Sequence, residues 1–104
     1  MKKLFFVICL AGFLGLALAA AGQAVDGKAL YNAKCQGCHG ADGTKRPLKV
    51  GEPLKGMSAE AVGKAMHGYK AKSFGGEKKA IMEQLVAPLS DAEIDALAQY
   101  VSTL

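Results

Sequence analysis

Two cysteines three positions apart, with a histidine directly behind the second, constrain this chain more than any other feature: KCQGCHGADG, Lys34 to Gly43. On a helical turn, residues three apart lie on one side. Cys35 and Cys38 can therefore offer both sulfurs to a single group, and His39 can turn its ring beneath it. A redox dithiol, half of a zinc site and a covalent heme attachment all use cysteine pairs at this spacing. What the rest of the chain can fold into decides among them.

Only part of the chain is expected to fold. Lys2 and Lys3 are followed by Leu4 to Ala21, a run of apolar residues and glycine, and then by small residues. Residues 1–24 read as a secretory signal peptide, cut after Ala24 or alternatively after Ala21. An uncleaved anchor is the rival, because an apolar run of about 18 residues approaches the length that spans a bilayer. The run ends in alanines rather than in a charged stop, which favours cleavage. Cys9 leaves with the leader, so both remaining cysteines belong to the opening motif and no odd thiol is left. The product is exported to an oxidising compartment.

Residues 25–104 form one small domain. A chain this short buries only roughly 60–65% of its unfolded surface and usually needs a staple, metal or cofactor. The sequence has no tryptophan and few aromatics, so a cofactor is the expected source of extra apolar bulk. Its charge is uneven. Lys45 to Lys79 carries a net +6, and from Ala80 onward the net is −4.

No segment alternates apolar and polar residues as a half-buried strand does, so the expected fold is all-α with about four short helices. Asp26 can cap the first, running to about Gln36, with Gly27, Tyr31 and Cys35 on one face. Thr44 to Gly56, rich in proline, glycine and basic residues, reads as a loop. Ser58 can cap a second helix to about His67, with Ala61, Val62, Ala65 and Met66 on one face. Gly75-Gly76 interrupts. A third helix, about Glu77 to Val86, carries Ile81, Met82, Leu85 and Val86 on its apolar side. Ser90 and Glu93 form a capping box for the fourth, with Ile94, Leu97, Ala98 and Val101 at core spacing.

This context separates the three chemistries. A thioredoxin-like dithiol needs a βαβ setting, and the strands are missing. A zinc site could use Cys35, Cys38, His39 and His67, yet adjacent Cys38 and His39 fit two separated ligand pairs poorly. A plain disulfide gives His39 no role. Cys-x-x-Cys-His in an exported helical chain is the heme c attachment pattern. Cys35 and Cys38 would bind the porphyrin, and His39 would ligate iron through Nε2. Its Nδ1–H would then need an acceptor, with the carbonyls of the loop holding Pro47 and Pro53 as candidates. Reach leaves Met57, Met66 and Met82 all open as a sixth ligand. His67 would give a bis-histidine iron instead.

The stretches DGKALYNAKCQGCHGADG, HGYKAKSFGGEKKAIMEQLV and LSDAEIDALAQYVSTL together resemble the class I c-type cytochromes, most closely the small monoheme cytochrome c-553 group of sulfate-reducing bacteria. The loop Lys45 to Met57 matches least. The resemblance implies that 25–104 is a monoheme cytochrome c domain, with the first and last helices crossing where Gly27 and Tyr31 meet Leu97 and Tyr100. It also implies Met82 as the sixth ligand; core packing is the competing role for that side chain.

The function so implied is a periplasmic one-electron carrier, not an enzyme. It would work between a dehydrogenase, such as formate dehydrogenase, and a terminal reductase or oxidase. The basic Lys45–Lys79 region would meet an acidic face on such partners. No nucleic-acid partner, no stable membrane insertion after cleavage and a monomeric state are expected. A ligand sensor or peroxidase-like enzyme is the alternative, and it requires an open sixth position.

Overall fold

Asp26, Ser58 and Ser90 each accept a hydrogen bond from a backbone amide of the following turn, and each starts a helix. In the computed structural model, which describes residues 24–104, α1 spans Gly27–Lys34 and α2 spans Gln36–His39. Further along, α3 spans Ala59–Lys70, α4 Lys79–Val86 and α5 Asp91–Val101, with one 3-10 turn at Pro47–Lys49. Among the described residues there is no strand. The fold is all-α, as expected. Apart from Ala24, the expected signal peptide lies outside the described residues.

α5 is the helix on which the others assemble, packing against both α1 and α3; α4 in turn packs on α3. Its capping box is complete: the Glu93 amide donates to Ser90 Oγ at 3.1 Å, and the Ser90 amide to Glu93 Oε1 at 3.0 Å. Ile94, Leu97, Ala98 and Val101 are all buried, and they join Tyr31, Val62, Met66, Val86 and Leu89 in one cluster. α1 crosses α5 closely because Gly27 has no Cβ. One added there would overlap the carbonyl of Ala96 and approach the Cβ of Tyr100. Tyr31 fills the space beside it, its ring centroid 5.4 Å from that of Tyr100. The crossing of the first and last helices is therefore as expected, with Ala96 as an added partner.

Two local expectations are corrected. The first helix is not continuous to Gln36. Cys35 takes φ −113°, which tilts the chain and starts α2 as a separate turn. Hydrogen bonding survives the tilt, with Cys35 N donating to Tyr31 O and His39 N to Cys35 O. The apolar side of α4 is also only partly inward. Val86 is buried and Met82 half-buried, but Ile81 and Leu85 are exposed. The protein core reaches one edge of that stripe and leaves the rest uncovered.

Candidate heme-attachment site

α2 is a single turn anchored at both ends. At its start, Cys35 lies half-buried at the tilt; Cys38 is exposed one turn later, and the two thiols are not joined. At its end, Gly40 adopts φ +85°, a conformation that favours glycine. The Tyr31 hydroxyl donates to the Gly40 carbonyl at 2.6 Å in a buried setting. The residue after the histidine is thus fixed to α1. Downstream, Lys45 N donates to His39 O at 3.0 Å, and Leu54 N and Lys55 N both donate to Gly43 O. The loop after the motif folds back on α2, and the 3-10 turn at Pro47–Lys49 touches it.

His39 is half-buried. Burial pushes its pKa below the ordinary histidine value, which keeps the imidazole neutral, the form that ligates a metal. Its Nδ1 is buried and has no hydrogen-bond partner. Neither candidate proline carbonyl receives it. Burial also raises the Cys35 thiol, with Lys34 partly offsetting the effect and Cys38 adding to it.

Burial sets one methionine apart from the other two. Met66 is buried in the α3–α5 core, where its thioether is occupied by packing. Met57 and Met82 are half-buried at the edge of the same cluster. Beside Met82, Glu83 Oε2 is buried without a hydrogen bond; Lys79 Nζ lies 3.9 Å away. That separation compensates charge but is too long for a hydrogen bond. His67 is exposed and faces Asp91, Nδ1 to Oδ1 3.8 Å. Among the described residues no three His, Cys, Asp or Glu side chains converge, which removes the zinc reading of Cys35, Cys38, His39 and His67.

The donor set fits a heme. It offers two unjoined thiols on one turn, a neutral imidazole and a half-buried thioether. Leu48, Val50, Ile81 and Leu85 are exposed apolar side chains that the protein core leaves uncovered. The profile of the cytochrome c family matches residues 24–104.

The chain belongs to the cytochrome c family. It is 45% identical, over the whole of both chains, to cytochrome c-553 of Nitratidesulfovibrio vulgaris. It is 42% identical to cytochrome c-553 of Desulfomicrobium norvegicum over 70% of this chain and 89% of that one. A protein of Stutzerimonas stutzeri named thiosulfate dehydrogenase electron acceptor is 32% identical over 86% of this chain, but over only 44% of its own length. This cytochrome carries heme c, with its iron, and transfers electrons rather than catalysing a reaction on a substrate.

Sequence reasoning did not find the Tyr31–Gly40 bond. The available signal was a tyrosine four residues before the first cysteine together with a glycine directly after the histidine. It also missed the pairing of Tyr69 with Phe74, whose rings meet edge-on at 5.0 Å. No periodicity announces that contact, because Phe74 lies in a loop.

Proposed function

We propose that this cytochrome is a periplasmic one-electron carrier whose heme is bonded to Cys35 and Cys38 and held between His39 and Met82. The supporting observation is the Cys35–His39 turn: two unjoined thiols with a half-buried imidazole directly behind the second, in a chain alike over its full length to cytochrome c-553. In this reading residues 1–24 are removed on export, after Ala24 or Ala21, and 25–104 is the mature domain. Among the described residues no helix is long and apolar enough to cross a membrane.

When bound, the heme supplies one-electron exchange between Fe(III) and Fe(II). The residues set the conditions. Cys35 and Cys38 tether the group in a chain too small to enclose it. His39 donates from a neutral ring whose orientation α2 fixes. The Met82 thioether favours Fe(II) and raises the potential relative to a second histidine. Two protein ligands leave no position for a substrate.

Met82→Ala should open the sixth position, lower the potential and allow carbon monoxide to bind the reduced protein rapidly, while the parent binds it only very slowly. Visible and near-infrared spectra of oxidised and reduced protein check this. An unchanged spectrum in the variant would remove Met82 from the ligand set. Rapid stoichiometric carbon monoxide binding by the parent would point to a ligand sensor.

The partners in this reading are a dehydrogenase donor, such as a formate dehydrogenase, and a terminal reductase or oxidase. A relative named for accepting electrons from a dehydrogenase supports the donor class. The +6 segment Lys45–Lys79 would dock on an acidic face and steer association. Exchange with a donor should therefore slow as salt rises from about 10 to 150 mM, across which the Debye length falls from roughly 30 to 8 Å. A rate flat in ionic strength would discard the docking role.

A further inference from the structure

The helix that carries Met82 starts without a cap of its own. Lys78, at its N-cap, makes no side-chain hydrogen bond, and its first turn holds no acidic residue. Asp26, Ser58 and Ser90 do this work for α1, α3 and α5. Only eight residues long, α4 buries a single side chain, Val86 in its last turn. A helix so short has little stability of its own. Its C-terminal end is tied to the core through Val86 and Leu89. Its N-terminal end, nearer Met82, must be held from outside.

The loop 71–78 supplies that hold. Lys72 N donates to Tyr69 O, and Ser73 N to Gly68 O at 2.9 Å, so the chain folds back onto the end of α3. Phe74 lies against Gly68 so closely that a Cβ there would come within 2.6 Å of the Phe74 Cβ. Its ring meets the half-buried Tyr69 ring edge-on at 5.0 Å, interplanar angle 87°, in the favourable T-shaped arrangement. Gly75 follows at φ +103°, where an added Cβ would sit 2.8 Å from the Tyr69 ring and 2.7 Å from the Lys79 Cβ. Gly75 is thus wedged between α3 and the first residue of α4, with Lys79 N donating to Gly76 O. None of these contacts involves Met82 or the motif at Cys35–His39.

We propose that the Gly68–Tyr69–Phe74–Gly75 contact is a latch that fixes the start of α4 and thereby keeps Met82 in place as the sixth ligand. Phe74 and Tyr69 are positioning residues: they act on the iron's environment only through α4. The inference rests on the ligand role of Met82. With the latch intact, the methionine arm stays closed and the sixth position is inaccessible. With it loosened, α4 swings from its Val86 end while α1, α3 and α5 remain packed. Loss of the methionine then precedes global unfolding, and the carrier admits external ligands.

The test uses the heme-loaded mature protein and five variants: Phe74→Ala, Phe74→Leu, Phe74→Tyr, Met82→Ala and Ser90→Ala. In the ferric protein, the near-infrared band of methionine-ligated iron is followed on heating beside the helical circular dichroism. In the ferrous protein, carbon monoxide binding is timed. For Phe74→Ala, the band is expected to disappear well below the helix melting temperature, and carbon monoxide to bind at least tenfold faster than in the parent. Phe74→Leu, which keeps apolar bulk should the alanine variant not fold, shifts both readouts in the same direction. Phe74→Tyr restores both. Ser90→Ala, which weakens the fold elsewhere, should lower the melting temperature without accelerating carbon monoxide binding.

If Met82→Ala opens the site while Phe74→Ala and Phe74→Leu keep the parent's band and binding rate, the latch is refuted and Met82 stands. If Met82→Ala leaves the spectrum unchanged, the ligand assignment fails and the latch falls with it. Equal acceleration by Ser90→Ala would show general destabilisation and also refute the latch.

Discussion

Tyr31 joins the hydrophobic core to the redox motif through one atom. Its ring is fully buried against α5, while its hydroxyl donates to the carbonyl of Gly40, directly after His39. That carbonyl also accepts from Gly43 N at 3.3 Å, so the tyrosine provides the shorter of two bonds. Tyr31→Phe keeps the packing and deletes this bond. The expected cost is about 1 kcal/mol, the usual net worth of an intramolecular hydrogen bond. It should appear as a lower urea midpoint with an unchanged denaturant slope. A midpoint equal to the parent's would mean that Gly43 alone fixes Gly40. The motif itself was legible residue by residue, because Cys-x-x-Cys-His needs only local spacing to declare its chemistry. Met82 was not. Three methionines follow His39 within reach, and only resemblance to a family singled one out. The fold contributes a physical reason to set Met66 aside, since its side chain is consumed in the core.

Among the elements, legibility tracked the amount of local information each carries. The start and the core face of α5 were readable because its capping box and its core spacing agree. α1 and α2 were read as one helix because Cys35 is a permissible helix residue, and nothing in the local pattern announces its φ of −113°. α4 was read with too much of its stripe inward, since periodicity reports which residues share a face and not what covers that face. The α5 cap also carries a pH dependence. Hydrogen bonds from the backbone and side chain of Ser90 hold the Glu93 carboxyl below its usual pKa. A depressed folded-state value stabilises the fold above the unfolded pKa. This contribution is lost as pH falls through the folded value, at the acid end of the carboxylate range. Glu93→Gln preserves the capping geometry, because glutamine also serves at that position, but removes the titrating charge. Its melting temperature should therefore fall less steeply between about pH 5 and pH 3. Parallel acid limbs for parent and variant would show that the cap contributes no pH-dependent stability.

On the scale of the whole molecule, the polypeptide's core lies to one side. The buried cluster joins α1, α3 and α5 and takes from α4 only its last turn. Leu48, Val50, Phe74, Ile81 and Leu85 meanwhile remain exposed. Nine buried apolar side chains are little for a domain of about 80 residues, a size at which burial barely offsets chain entropy. A covalently held porphyrin would add apolar surface in contact with the motif and occupy the His39 ring, so folding and heme attachment should be coupled. The double variant Cys35→Ala/Cys38→Ala, exported and purified without heme, should lose most of its helical circular dichroism and unfold without a cooperative urea transition. α5, with its complete cap, should be the last helix to retain amide protection in hydrogen exchange. A colourless variant that kept the parent's helix content and cooperative transition would show that the polypeptide core suffices. The heme would then be a redox passenger rather than part of the fold.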